Sequence, residues 1–189
     1  MTDIQVKYAR LRPQITNGCI INVRGHSLLT RIIEWTCGYY SHSLLAFVVG
    51  ERLFAIQSVA QGVAPAFLST EIFANDDFVI LKPKFPQAQL DDAVNKYFAI
   101  AERGIPYNFF ELPKLLLKLK LGIYIGNMQG NKADSICSVS AGYNFGGLLP
   151  IKCFVDYYNA NNYLTPQNLS DLAKANPSEM DVIGDDSGS

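Results

Sequence analysis

Apolar positions along this chain follow two rhythms. Short continuous apolar runs bounded by glycine or proline predict strands. They are Cys19-Ile20-Ile21-Asn22-Val23 after Asn17-Gly18, Leu44 to Val49, Leu53 to Ile56, and Phe78 to Leu81 ahead of Pro83 and Pro86. Gly50-Glu51-Arg52 separates the second and third runs and predicts a hairpin turn. Helical spacing appears at Leu28, Leu29, Ile32, Ile33 and Trp35, entered from Arg24-Gly25-His26-Ser27 and ended by Gly38. A second helix is predicted from Gln87 to Arg103, with Leu90, Val94, Tyr97, Phe98 and Ala101 on one face and Gly104 as its stop.

Further along, Leu112, Leu115, Leu116 and Leu119 form a stripe within residues 111–121, and Lys114, Lys118 and Lys120 lie largely off it. A basic amphipathic helix of this kind can make a peripheral membrane contact or touch a lipid substrate. The commoner case is a core-facing helix with solvated lysines. Gly126 to Lys132 reads as a loop, and a helix is predicted from Ile136 towards Tyr143 with Ser135 as its cap. Thr165-Pro166 opens a last short helix by the cap-then-proline rule. After Asn176-Pro177 the sequence turns acidic and rich in glycine and serine, so 177–189 is expected to be a flexible tail. Residues 1–176 then form a single α+β domain, without internal repeats.

Composition narrows the function without naming it. The chain has 189 residues, 49% of them apolar and 17% charged, which suits one globular domain with a full core. A net charge of −1, with no arginine stripe among aromatics, gives no reason to expect a nucleic-acid partner. No run approaches the roughly 18 uninterrupted apolar residues of a membrane span. The N-terminal segment lacks the apolar core of a signal peptide, so a cytoplasmic or virion-associated setting is expected and the cysteines are expected to be free thiols. Cys19, Cys37, Cys137 and Cys153 form no C-x-x-C pair, so neither a structural zinc site nor a cofactor is expected.

The candidate chemistry rests on two distant segments. Cys137 lies in Asp134-Ser135-Ile136-Cys137-Ser138, in the first turn of a predicted helix. A helix N-terminus favours the thiolate, and the residue's own backbone N–H can help hold an oxyanion. A small cysteine packing a helix on a sheet is the ordinary alternative. His42 follows Tyr40-Ser41 at the mouth of an apolar strand and is the candidate base. The other histidine of the chain, His26, sits before a helix beside Ser27 and reads as a capping or surface residue. A catalytic imidazole generally needs a third group to fix its tautomer. The hairpin can bring Gln57 back near His42, where its amide carbonyl can accept an N–H bond; an exposed polar strand end is the equal alternative. Tyr40 either donates its hydroxyl to an oxyanion or packs.

The segment Gly18 to Trp35, followed by Tyr40-Ser41-His42 and its apolar strand, resembles the permuted NlpC-type papain-like hydrolases of the YiiX/YaeF-like group. Ala55-Ile56-Gln57-Ser58 with Gln61-Gly62-Val63, Gly104 to Phe109, Ile136-Cys137-Ser138 and Thr165-Pro166-Gln167-Asn168-Leu169 are further landmarks in the same order. The likeness spans most of residues 15 to 172. It implies a circularly permuted papain-like (NlpC-type) fold, with a small antiparallel sheet and packed helices. It also implies a triad of Cys137, His42 and Gln57. Relatives commonly carry glutamate at the third position, and a neutral amide orients the ring without stabilising imidazolium as a carboxylate does.

The activity this implies is thiol-dependent hydrolysis, by an amidase or peptidase acting on peptide or cell-wall-peptide amides. The resemblance also covers lipid-directed thioesterases and acyltransferases related to lecithin retinol acyltransferase. A third alternative is a binding or structural protein, for instance of a virus or phage, that keeps the fold without turnover.

Overall fold

The computed structural model describes residues 1–59, 62–101, 145–149, 151–161 and 163–185. The predicted helices over 111–121 and 136–143, the loop between them, and Cys137 lie outside the described residues. What is described is an α+β arrangement around one six-stranded sheet, antiparallel at every pairing.

The strands are β1 (Ile20–Arg24), β2 (His42–Val49), β3 (Arg52–Val59), β4 (Gly62–Phe67), β5 (Asp77–Pro83) and β6 (Met180–Ile183), in the spatial order β4-β3-β2-β1-β5-β6. β2 and β3 form the predicted hairpin, with Val49 opposite Arg52 and Gly50 in the left-handed region at φ 61°. A two-residue turn there needs positive φ, which glycine adopts without a Cβ clash.

Continuous apolar runs mark the central strands because both sheet faces are covered. On one face Ile20, Leu45, Ile56, Val79 and Leu81 pack beneath α4 (Gln87–Ala101), α5 (Phe145–Leu148), α6 (Lys152–Asn161) and α7 (Pro166–Ala175). Leu90, Val94 and Tyr97 are buried there, as the spacing in α4 predicts. On the opposite face Ile21, Val23, Leu44, Ala46, Ala55, Phe78 and Ile80 pack under α1 (Asp3–Leu11) and α3 (Leu68–Phe73), through Tyr8, Leu11, Leu68 and Ile72. α2 (Leu28–Cys37) links β1 to β2; Ser27 caps it and Gly38 ends it. Trp35 stands 71% exposed on that helix, so its spacing marks a helix but not a buried face. No helix among the described residues is long and apolar enough to cross a membrane.

The expected tail from 177 onward needs correction. Met180–Ile183 pairs antiparallel with β5 through Ile80↔Ile183, Leu81↔Val182, Lys82↔Asp181 and Pro83↔Met180. Met180 is buried, and Lys84 N–H donates to Glu179 O at 2.8 Å. Gly184 follows at φ 74°, where an added Cβ would collide with Leu11 Cδ1. Composition pointed the other way because Met-Asp-Val-Ile is a single four-residue alternation inside an acidic, small-residue segment. What orders it is the bonding edge of β5, which is not a local signal.

Met180→Ala is therefore expected to destabilise the protein by about 2–4 kcal/mol, the usual cost of emptying a buried methionine site. Urea unfolding measures it; a midpoint unchanged from wild type would mean that this segment contributes nothing to the folded state.

Candidate active site

His42 is the first residue of β2 and pairs in register with Val23 of β1. Directly opposed residues of an antiparallel pair project to the same face, so His42 shares the face of Val23, Leu44 and Ala46. On β3 the same alternation takes Leu53, Ala55 and Gln57 to that face. Gln57 is thus a diagonal neighbour of His42 near one end of the sheet, and the two side chains meet, with His42 Nε2 3.2 Å from Gln57 Oε1.

That contact has chemical direction. An amide oxygen only accepts, so the ring nitrogen facing it is the one that carries the proton. Nε2 is then the donor, and Nδ1 is left as the nitrogen bearing the lone pair. In the neutral ring this is the Nε2–H tautomer, and the ring is half-buried.

The chain leading into His42 is held at each step. Ser41 is buried; its N–H donates to Val23 O at 3.0 Å and its Oγ accepts from Gly25 N–H at 2.9 Å. Tyr40 is fully buried and its hydroxyl donates to Asp185 Oδ1 at 3.1 Å. The sequence leaves Tyr40 as either an oxyanion donor or a packing residue; what the structure shows is its burial and the bond to Asp185. Tyr39 lies under the Arg24 guanidinium, 4.5 Å from ring centre to carbon, and its hydroxyl donates to Asp77 Oδ2 at 3.1 Å. Burial, and then the Asp77 charge, push the Tyr39 hydroxyl above its ordinary value, so it stays protonated. Lys7 also pairs with Asp77, and Arg24 Nε lies 3.4 Å from Glu34 Oε2.

Cys137 lies outside the described residues; the other three cysteines are placed as packing groups. Cys19 and Cys37 are buried. Burial raises the Cys19 thiol. Burial, followed by the Glu179 charge, pushes Cys153 up to about 12. His26 is exposed, as a surface residue. The side chains that sequence reasoning passed over are Asn22, Ser43, Gln167 and Ser170. The available signal was Asn22, a lone amide inside an otherwise apolar strand run.

No family model matches this sequence, and no curated protein matches it. Among solved structures, the crystal structure of the metalloprotein yiiX from Escherichia coli matches with a TM-score of 0.50 at 18% identity, covering 90% of this chain and 97% of that one. The fold is YiiX-like. At that identity the likeness concerns architecture: a small antiparallel sheet packed with helices, matched over nearly the full length of both chains.

Gln57→Glu tests the contact directly. A carboxylate facing Nε2 is expected to raise the His42 titration midpoint by about one pH unit, read by NMR. An unmoved midpoint would show that residue 57 does not face the ring in solution.

Proposed function

We propose that this protein is a thiol-dependent hydrolase of amide bonds, with Cys137 as nucleophile, His42 as general base and Gln57 as the group that orients the ring. The observation carrying the reading is the 3.2 Å contact between His42 Nε2 and Gln57 Oε1, which selects the tautomer a thiol needs. The YiiX-like fold supports it, and so does the ordered set of sequence landmarks running from His42 through Cys137 to Thr165-Pro166.

The steps follow from that tautomer. Nδ1 of His42 takes the Cys137 thiol proton, and the thiolate attacks the amide carbonyl carbon while the π pair moves to oxygen. The oxyanion rests on the Cys137 backbone N–H. Collapse breaks the C–N bond as imidazolium returns its proton to the leaving amine, and a thioester remains. Water then loses a proton to His42, attacks the thioester, and releases a carboxylic acid and the thiol. The substrate class is a peptide amide, with cell-wall peptides first. Its papain-like, permuted character is part of the same proposal. The neighbour's description as a metalloprotein belongs to that protein. Among the described residues no three His, Cys, Asp or Glu side chains gather as a metal-holding group, and no step is routed through a metal.

Alkylation with iodoacetamide followed by peptide mapping tests the nucleophile. Burial and the Glu179 charge disfavour the Cys153 thiolate and burial disfavours that of Cys19, so both are expected to react slowly. Cys137 is expected to label fastest, and His42→Ala to slow it by about tenfold or more with the melting midpoint held. Equal labelling of all four cysteines would remove the catalytic assignment.

A further inference from the structure

Thr165-Pro166-Gln167-Asn168-Leu169 stands out in the sequence, yet the mechanism uses none of its side chains. In the structure it forms the first turn of α7, capped by Thr165, with Pro166 at the first helical position. This turn grips the chain on both sides of His42. Upstream, Thr165 Oγ1 donates to Cys37 O at 3.4 Å, and Gln167 Oε1 accepts from Tyr39 N–H at 3.0 Å. Downstream, Asn22 Nδ2 donates to Pro166 O at 2.7 Å and to Ser170 Oγ at 2.8 Å, while Asn22 Oδ1 accepts from Ser43 Oγ at 2.7 Å.

Gly38 shows how closely the turn approaches. Its φ is 108°, and an added Cβ would lie 2.5 Å from Gln167 Cγ. A side chain there would displace Gln167 from Tyr39. Gln167 is itself steadied by its Nε2, which donates to Asp171 Oδ1 at 2.8 Å one turn along the helix. The downstream set is buried and spends both amide hydrogens and the carbonyl of Asn22. No chemistry on a substrate is available to atoms so engaged; what they supply is direction.

We infer that Gln167 is a positioning residue for His42, the first turn of α7 setting the imidazole by holding residues 37–39 before it and Ser43 after it. The inference rests on the reading of His42 as the base, but its test reads the ring itself. The chain contains two histidines, and exposed His26 serves as an internal reference in ¹H–¹⁵N spectra of the imidazoles.

Gln167→Met keeps the bulk and cannot accept from Tyr39 N–H. Loosening the Gln57 contact removes an acceptor that favours imidazolium, so the His42 midpoint is expected to fall by about half a pH unit while His26 holds. Q167E/D171N restores an acceptor for Tyr39 and a donor at residue 171, and is expected to return the midpoint to wild type. Should Gln167→Met fail to fold, Gln167→Asn, one methylene shorter and still polar, carries the same expectation. A variant that melts lower but leaves the His42 shifts and midpoint unchanged would assign these bonds to stability alone and overturn the inference. If His42 responds as expected while Cys137 proves no more reactive than the other cysteines, the hydrolase reading falls and the positioning role stands.

Discussion

Burial of both faces of β1 and β2 decides where polar chemistry can sit. Ile20, Ile21, Leu44, Leu45 and Ala46 are all enclosed, and a polar group among them is tolerated only when its bonds are satisfied inside the protein. Two places meet that condition. One is the Asn22–Ser43–Ser170 set, closed on itself beneath α7. The other is the sheet end, where His42 opens β2, Arg24 closes β1 and Asp77 opens β5. The candidate site is at that end because the strand interiors leave no room for a group that must exchange protons.

Among the described residues at that end, two ion pairs join opposite charges. Lys7 and Arg24 are matched by Asp77 and Glu34 through the ion pairs they form. The Gln57 amide adds no formal charge. A carboxylate in its place would attract an imidazolium at this separation by about 5 kcal/mol at an effective dielectric near 20, less its own desolvation cost. The amide forgoes that attraction and keeps the directional part, a single acceptor aimed at Nε2. Gln57 therefore orients the His42 ring without adding charge stabilisation of its own.

What could be read in the sequence follows from which signals are local. The β2–β3 hairpin, the α4 stripe and the Thr165-Pro166 helix start were all legible, because each is encoded within about fifteen residues. His42 with Gln57 was legible for the same reason: a hairpin register links positions fifteen apart. β6 was not, since its partner edge lies about a hundred residues away in β5. Tyr40 could not be settled from sequence either, because the group that takes its hydroxyl, Asp185, lies in the segment that composition marked as a tail. The role of α7's first turn was equally hidden. Its contacts with Cys37, Tyr39 and Asn22 span more than 120 positions, and nothing local distinguishes an amide that holds a distant backbone N–H from one that faces water.

Stability alone does not account for the Asn22 set. Replacing a fully satisfied buried polar cluster by apolar groups of similar shape is often neutral or favourable to folding, whereas removing one partner strands the rest at about 1–3 kcal/mol per group. An apolar β1 would hold α7 against the sheet by burial, but burial is non-directional and leaves a helix free to slide or rotate by fractions of a turn. The Asn22 amide donates to Pro166 O and Ser170 Oγ and accepts from Ser43 Oγ, and these bonds fix α7 against β1 and β2 in position and in rotation together. The same helix turn carries Gln167 to Tyr39 N–H, so the rotation fixed at Asn22 is transmitted to the link that delivers His42. The polar set is thus better understood as a source of angle than of binding energy.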